Sequence, residues 1–260
     1  MEVVIAPAAQ LAVLAADVIE RQLRQRPETV LGLATGSSPL KVYEELIRRH
    51  REEGLSFARA RGFTLDEYVG LPADHPQRYR NVIAAEFIDH LDWPADQVHG
   101  PEGLAEDVPT ACADYELAVA EAGGVDIQLL GIGSDGHIAF NEPGSSLGSR
   151  TRIKSLTRQT RRDNARFFGG DADQVPAHCL TQGLGTISEA RHLMLLATGE
   201  EKAEAVRQLV EGPVSARWPA TVMQFHPKVT VLVDEEAASG LELADYYRQA
   251  YASKPAWQGL

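Results

Sequence analysis

The sequence predicts an α/β protein: an open, mostly parallel twisted sheet, Rossmann-like, with helices on both faces and an elaborated lid segment. Three observations carry this. Short apolar runs recur along the chain, as expected of strands buried on both faces. Longer stretches with helical apolar spacing separate them. Polar motifs rich in glycine fall directly behind the runs, where an open parallel sheet places its ligands.

Taken in order, residues 9–24 have apolar positions at helical spacing. Residues 30–34 (VLGLA) read as a buried strand, 39–51 as a helix and 62–65 as a short strand. Residues 77–91 and 105–121 read as helices. The remaining strands are 125–130 (VDIQLL), 192–197 (HLMLLA) and 229–233 (VTVLV), with helices at 200–210 and 236–250. The segment 132–188, rich in Gly, Arg and Ser, breaks this rhythm and is expected to be an elaborated loop. The whole forms a single domain, 1–260, with the lid at about 141–188.

A chain of 260 residues, 44% hydrophobic and 24% charged, builds a sizeable core, which excludes disordered and fibrous classes. No apolar run reaches the roughly 18 residues of a membrane span. The start, Met1-Glu2-Val3-Val4, lacks the basic and apolar regions of a secretory signal, so the expected location is cytoplasmic. A net charge of -12 argues against general nucleic-acid or membrane-surface binding. Cys112 and Cys179 lie far apart and read as buried thiols. No His/Cys cluster has zinc spacing, and no metal is expected.

Four polar motifs follow predicted strands and should converge on one sheet edge. Thr35-Gly36-Ser37-Ser38-Pro39 reads as a helix start, with Ser38 as cap and Pro39 as first helical residue. Its free N–H groups could hold an anion. It is no Walker loop, since G-x-x-x-x-G-K is absent. Asp66-Glu67 is either a cap or salt-bridge partner, or a general base whose pKa partial burial raises. In Gly131-Ile132-Gly133-Ser134-Asp135-Gly136-His137, carboxylates stand two residues before and five after the histidine. Two such carboxylates, Asp135 and Glu142, fix a tautomer and let His137 move protons near neutral pH; a satisfied core histidine is the plain alternative. Lys202 sits in a helix's first turn, where a cation opposes the dipole. It is either solvated or aimed at a bound phosphate. Residues 150–166 hold seven cations against one anion, an island without interleaved aromatics that suits small phosphorylated ligands better than nucleic acid.

Together these strings resemble the glucosamine-6-phosphate deaminase family. The resemblance rests on LATGSSPLKVYEEL (33–46), LDEYVGLP (65–72), GIGSDGHIAFNEPGSSLGSRTRIKSLT (131–157), ARFFGG (165–170), LTQGLGTI (180–187) and FHPKVTV (225–231). It runs over nearly the whole chain. It implies a reversible conversion of glucosamine 6-phosphate and water into fructose 6-phosphate and ammonium, without cofactor. By motif position Asp66 is implied as the base moving a proton between C2 and C1 through an enolamine. His137 is implied as the ring opener, tuned by Asp135 and Glu142; the resemblance leaves Glu67 without a role. Thr35, Gly36, Ser37, Arg166 and Lys202 are implied in substrate binding, under a lid at 141–166. Some members are hexamers activated by N-acetylglucosamine 6-phosphate, and Ser145, Ser146, Arg152 and Lys154 match their allosteric phosphate site. Those members carry a C-terminal tyrosine where Arg248 stands here, beside Tyr246 and Tyr247. Other members are monomers, so the assembly stays open between hexamer and monomer. The family's fold is similar to 6-phosphogluconolactonases, which lack the continuation Phe140-Asn141-Glu142-Pro143, and to sugar-phosphate sensors, which carry a DNA-binding segment in front. A galactosamine-6-phosphate deaminase, a lactonase or a non-catalytic sensor are the alternative readings.

Overall fold

A computed structural model describes residues 1–255 and 257–260. The strands are β1 (Glu2–Ile5), β2 (Val30–Leu33), β3 (Arg61–Thr64), β4 (Asp66–Tyr68), β5 (Val98–His99), β6 (Ile127–Leu130), β7 (Arg152–Ser155), β8 (His178–Thr181), β9 (Leu193–Ala197) and β10 (Val229–Val233). The α-helices are α1 (Ala8–Gln25), α2 (Ser37–Glu53), α3 (Tyr79–Glu86), α4 (Val108–Glu121), α5 (Arg158–Asn164), α6 (Leu184–Ser188), α7 (Ala203–Glu211) and α8 (Ala244–Ala252).

Seven strands form one sheet in the order β1-β10-β9-β6-β2-β3-β5, and every neighbouring pair is parallel. The central strands β2, β6, β9 and β10 are buried at every position, which is why their sequences are predominantly apolar rather than alternating. The order reverses between β2 and β6. A crevice opens there at the carboxyl ends of the strands.

The second sheet differs from expectation. Strands β4, β8 and β7 pair antiparallel, and two of them lie in the segment read as irregular lid. Their sequences (DEY, HCLT, RIKS) hold no apolar run, because each is three or four residues long and β7 alternates half-buried with exposed positions. A small core of Tyr68, Leu71, Phe140, Leu156, Ala165, Phe168, Val175 and Cys179 lies beneath them, apart from the main core. Both cysteines are buried and free.

Several element ends also shift. The helix expected at 236–250 is a series of turns followed by α8. Asp234 accepts the N–H groups of Ala237 (2.8 Å) and Gly199 (3.1 Å), which ties residues 234–240 to the end of β9. Helix α4 begins at Val108 rather than 105, because Asp107 caps it through Thr110 N–H at 3.2 Å. The stretch 77–91 shortens to α3 and a 3-10 turn at Ile88–His90, and 200–210 becomes a 3-10 turn at Glu200–Lys202 followed by α7. Ser38 is not the cap of α2: Gly36, at φ 101°, takes that position, and Pro39 is the third helical residue. A Pro there removes no helical bond, since first-turn N–H groups have no acceptor inside the helix.

The end of β8 packs tightly at Gly183 against the segment that leads into β7. A Cβ there would stand 1.9 Å from the Ser149 carbonyl oxygen and 2.5 Å from the Arg150 nitrogen, both backbone atoms that cannot rotate away. Gly183→Ala should therefore cost ~3 kcal/mol of stability in urea unfolding. A variant as stable as the parent would show that the segment 149–150 is not held against β8.

Candidate active site

A cavity of about 610 Å³ fills the crevice. Its walls come from the segments after four adjacent strands: Ala34 to Leu40 after β2, Leu65 and Asp66 after β3, Gly131 to Ser134 with His137 after β6, and Lys202 after β9. The four motifs thus share one site. Tyr79, Thr160, Asn164, Arg166 and Phe167 close it from α3 and the segment 158–167.

Asp66 opens β4, the residue after next beyond β3, and is 6% exposed. Burial, assisted by the neighbouring Glu67 charge, pushes its pKa up to about 8. Such a carboxyl is a proton acceptor matched to near-neutral chemistry. Glu67 points elsewhere and does not line the cavity. Its Oε1 accepts the N–H groups of Tyr68 and Tyr79, both at 2.9 Å, and its Oε2 accepts that of Arg80 at 3.1 Å. Burial raises its pKa against the opposing pull of these N–H groups and Arg78. Tyr79 in turn brings its hydroxyl to 3.2 Å from that of Tyr68.

The turn 133–142 shapes the histidine. Gly136 adopts φ 82° and Ala139 φ 49°, a left-handed conformation uncommon for alanine and a local strain. A Cβ on Gly133 would lie 2.3 Å from the His137 ring, so only glycine leaves room for it. His137 Nδ1 stands 2.7 Å from Asp135 Oδ1 and 3.9 Å from Glu142 Oε2. Both carboxylates therefore face one ring nitrogen instead of bracketing the ring. They favour the Nδ1–H tautomer, which leaves Nε2 as the unprotonated nitrogen. Burial disfavours the Asp135 charge, but the His137 hydrogen bond outweighs it and holds Asp135 below the usual carboxylate range. Glu142 Oε1 accepts from Thr157 N–H (3.1 Å) and the Thr160 hydroxyl (2.7 Å), while its buried Oε2 has no hydrogen-bond partner. Neither Asp135 nor Glu142 lines the cavity; both face His137 Nδ1 from behind it. Their donor atoms and that of His137 lie within 4.8 Å of one another, near enough to hold a metal ion. The bond from Nδ1 to Asp135 uses that nitrogen as a donor, which suits an oriented imidazole better than a ligand.

At the other end of the cavity stand Thr35, Gly36, Ser37, Arg166 and Lys202. The first turn of α2 carries no side-chain cap, so its N–H groups face the cavity unclaimed, and a Cβ on Gly36 would meet nothing within 4 Å. A helix N-terminus with two cations beside it is chemically able to hold an anion. Of the seven-cation island only Arg166 lines the cavity. Arg150 pairs with Glu116 and Glu189, Arg161 donates to the carbonyls of Val175 and Ala172, and Arg162 to Gln159.

Ser145, Ser146, Arg152 and Lys154 also lie off the cavity, behind the Glu142 turn. Arg152 and Lys154 alternate onto one face of β7. Arg152 Nη1 donates to Asn141 Oδ1 at 2.7 Å, and burial lowers its pKa. Ser145 is buried with its Oγ unpartnered; Ser146 is exposed. Sequence reasoning missed Tyr79, Thr160 and Asn164 and the task of Glu67. Thr157 and Thr160 carry the one local signal, a cap spacing ahead of α5.

Residues 5–232 match the family model of glucosamine-6-phosphate isomerases/6-phosphogluconolactonase. The chain is 67% identical to a glucosamine-6-phosphate deaminase of Mycolicibacterium smegmatis and 58% identical to one of Streptomyces avermitilis, covering all of both chains in each case. Among solved structures, a monomeric glucosamine-6-phosphate deaminase superposes with a TM-score of 0.90 at 44% identity, over 92% of this chain and 100% of that one. A 6-phosphogluconolactonase from Trypanosoma cruzi, at TM-score 0.72 and 23% identity over 93% and 97% of the two chains, shares the fold. On a match that spans most of its length, the chain belongs to the family of glucosamine-6-phosphate isomerases and 6-phosphogluconolactonases.

Proposed function

We propose that the chain is an enzyme converting glucosamine 6-phosphate and water into fructose 6-phosphate and ammonium. The observation that supports this most is the meeting of Asp66, His137 and a phosphate cradle in one cavity. Full-length relatives that carry out the deamination by name, at 58–67% identity, support it further.

The phosphate rests on the start of α2, between Arg166 and Lys202. His137 Nε2 moves a proton between the ring oxygen and O1, which opens the pyranose; Asp135 and Glu142 steady the imidazolium as it forms. Asp66 then takes the C2 proton of the open-chain sugar and returns it to C1. As the C2 proton leaves, C1=O becomes C1=C2 and O1 takes a proton from the substrate's C2 ammonium group, giving the enolamine; when Asp66 returns its proton to C1, C1=C2 becomes C2=N. Water adds at C2 and ammonium departs, leaving the ketose. The segment 141–188 serves as the cover of the site within a single domain. Ser145, Ser146, Arg152 and Lys154 are suited to a second sugar phosphate, such as N-acetylglucosamine 6-phosphate, as a monomer or in an assembly. No helix among the described residues is long and apolar enough to cross a membrane, and a phosphorylated substrate, which does not cross membranes unaided, supports a cytoplasmic reaction.

Asp66 must be ionised to act as base. With its pKa at about 8, kcat/KM should rise with pH along a limb centred near there and level off above it. Asp66→Asn should still bind glucosamine 6-phosphate but lose ~10²–10⁴ in rate and fail to exchange the C2 proton with deuterated solvent. Normal exchange in that variant removes Asp66 from the role. The same group predicts a stability effect. Folded, Asp66 keeps its proton up to about pH 8; unfolded, it loses it near the ordinary value of about 4. The native state binds more protons between these limits, so this contribution to stability falls as pH rises from about 4 to about 8. Asp66→Asn should consequently raise Tm at pH 8, by ~4 °C.

For His137→Gln, spontaneous ring opening should become limiting. Its rate at high enzyme concentration should stop scaling with the amount of enzyme. Proportionality retained at the parent rate would mean that His137 does not open the ring.

A further inference from the structure

We propose that Glu67 is the positioning residue of the catalytic base: from the strand that carries Asp66 it caps the first turn of α3 and so locks that strand against the helix that brings Tyr79 into the cavity. The inference rests on the reading of Asp66 as base.

The geometry is that of a cap supplied from another element. Helix α3 has Arg78 at its N-cap position and no side-chain cap of its own. Its first N–H groups, those of Tyr79 and Arg80, have no acceptor within the helix. Glu67 takes both, at 2.9 and 3.1 Å, and takes the N–H of Tyr68 as well. A carboxylate is suited to this place because it offers acceptors at both oxygens and because an anion is favoured at a helix N-terminus. The side chain is 2% exposed, and Gly103 packs closely against it: a Cβ there would stand 3.0 Å from its Cγ. Successive strand residues point to opposite faces, so one backbone unit fixes both carboxylates, Asp66 toward the cavity and Glu67 toward α3.

The groups around the pair set the electrostatics. Arg78 Nε lies 3.8 Å from Glu67 Oε2, and Arg78 Nη2 donates to Glu102 at 3.2 Å. Asp66 is surrounded by Tyr68 and Tyr79, by Tyr115 of α4 and by Cys179 of β8, all groups that its charge makes harder to ionise. Arg152 and Lys154 of β7 flank Cys179 on its far side. Among the described residues, Glu67 is the anion whose charge adds to the effect of burial on Asp66.

Glu67→Gln tests the assignment, with Asp66→Asn alongside. Glutamine keeps the shape but loses the charge and turns an amide NH₂ toward one N–H group. We expect kcat to fall ~10–100-fold with KM about unchanged. The acidic limb of kcat/KM should move to lower pH, because Asp66 loses its anionic neighbour. A kcat within about twofold of the parent, or an unmoved limb, overturns the inference; a merely structural glutamate would lower the yield or Tm and leave the limb in place. If Asp66→Asn keeps C2 proton exchange, the reading of the reaction fails instead, so the two failures are distinct. Should Glu67→Gln not fold, the parent decides by amide hydrogen exchange. Tyr79 and Arg80 protected like the interior of α3 supports the cap, since no helical acceptor exists for them. Exchange at the rate of an open first turn overturns it.

Discussion

Leu65 holds the site together. Its N–H donates to the Leu33 carbonyl at 3.2 Å, the last bond of the parallel sheet at that edge, and its own carbonyl accepts from Gln182 N–H at 2.8 Å, the first bond to the small sheet. The chain changes sheets within one residue, and Asp66 is the next. A carboxylate in that place inherits rigidity from both sheets without belonging to the hydrogen-bond ladder's interior. The link is reinforced from below. Tyr115 donates to the Thr64 carbonyl at 2.6 Å, Gln182 Nε2 donates to Tyr115 at 2.9 Å, and Asn141 Nδ2 donates to the Gln182 carbonyl at 2.8 Å. The strand of Asp66 and the turn of His137 are thereby parts of one buried network, which is worth more when fully satisfied than its bonds taken singly.

The site's four buried or half-buried carboxyls are distinguished by their partners. Asp66 is burdened by burial and by a like charge, which leaves it protonated near neutrality and able to accept a proton just above it. Asp135, with His137 against it, is held ionised. Glu142 divides its work, one oxygen anchored by Thr157 and Thr160 and the other left unpartnered 3.9 Å from the imidazole. An acceptor kept in that state costs stability while the ring is neutral and recovers it when the ring gains a proton. Glu67, wholly occupied by backbone N–H groups, contributes geometry. The same functional group, a carboxyl, thus stands in four different local fields.

Much of the scaffold was legible in the sequence, for a physical reason. Strands buried on both faces must be apolar throughout, so VLGL, LMLLA and VTVLV announce themselves. The convergence of the Thr35, Asp66, His137 and Lys202 segments followed from the parallel sheet rule alone. The small sheet was hidden, because its strands are three or four residues long and largely polar, and because the pairing of Asp66 with Thr181 spans more than a hundred residues of chain. The turns after β10 were hidden too: apolar residues at 237, 238 and 241 mimic a helix, while Asp234 holds that backbone in turns. Glu67 could not be assigned from its position beside Asp66, since its partners are backbone groups of a helix twelve residues on.

The charge pattern shows how an acidic chain can take an anionic ligand. With a net charge of -12, the long-range field opposes a phosphate. The basic island at 150–166 does not reverse this, because Arg150 and Arg161 are committed to carboxylates and carbonyls of their own surroundings. What remains at the cavity is Arg166, Lys202 and the unclaimed N–H groups of α2. These act over a few ångströms, where their effect is strongest. Capture thus depends on short-range fit rather than on steering. The awkward placement of Lys202 fits that logic: its 3-10 turn begins at Gly199, whose φ of 91° redirects the chain out of β9, and the turn carries the ammonium to the cavity wall instead of leaving it on a helix surface.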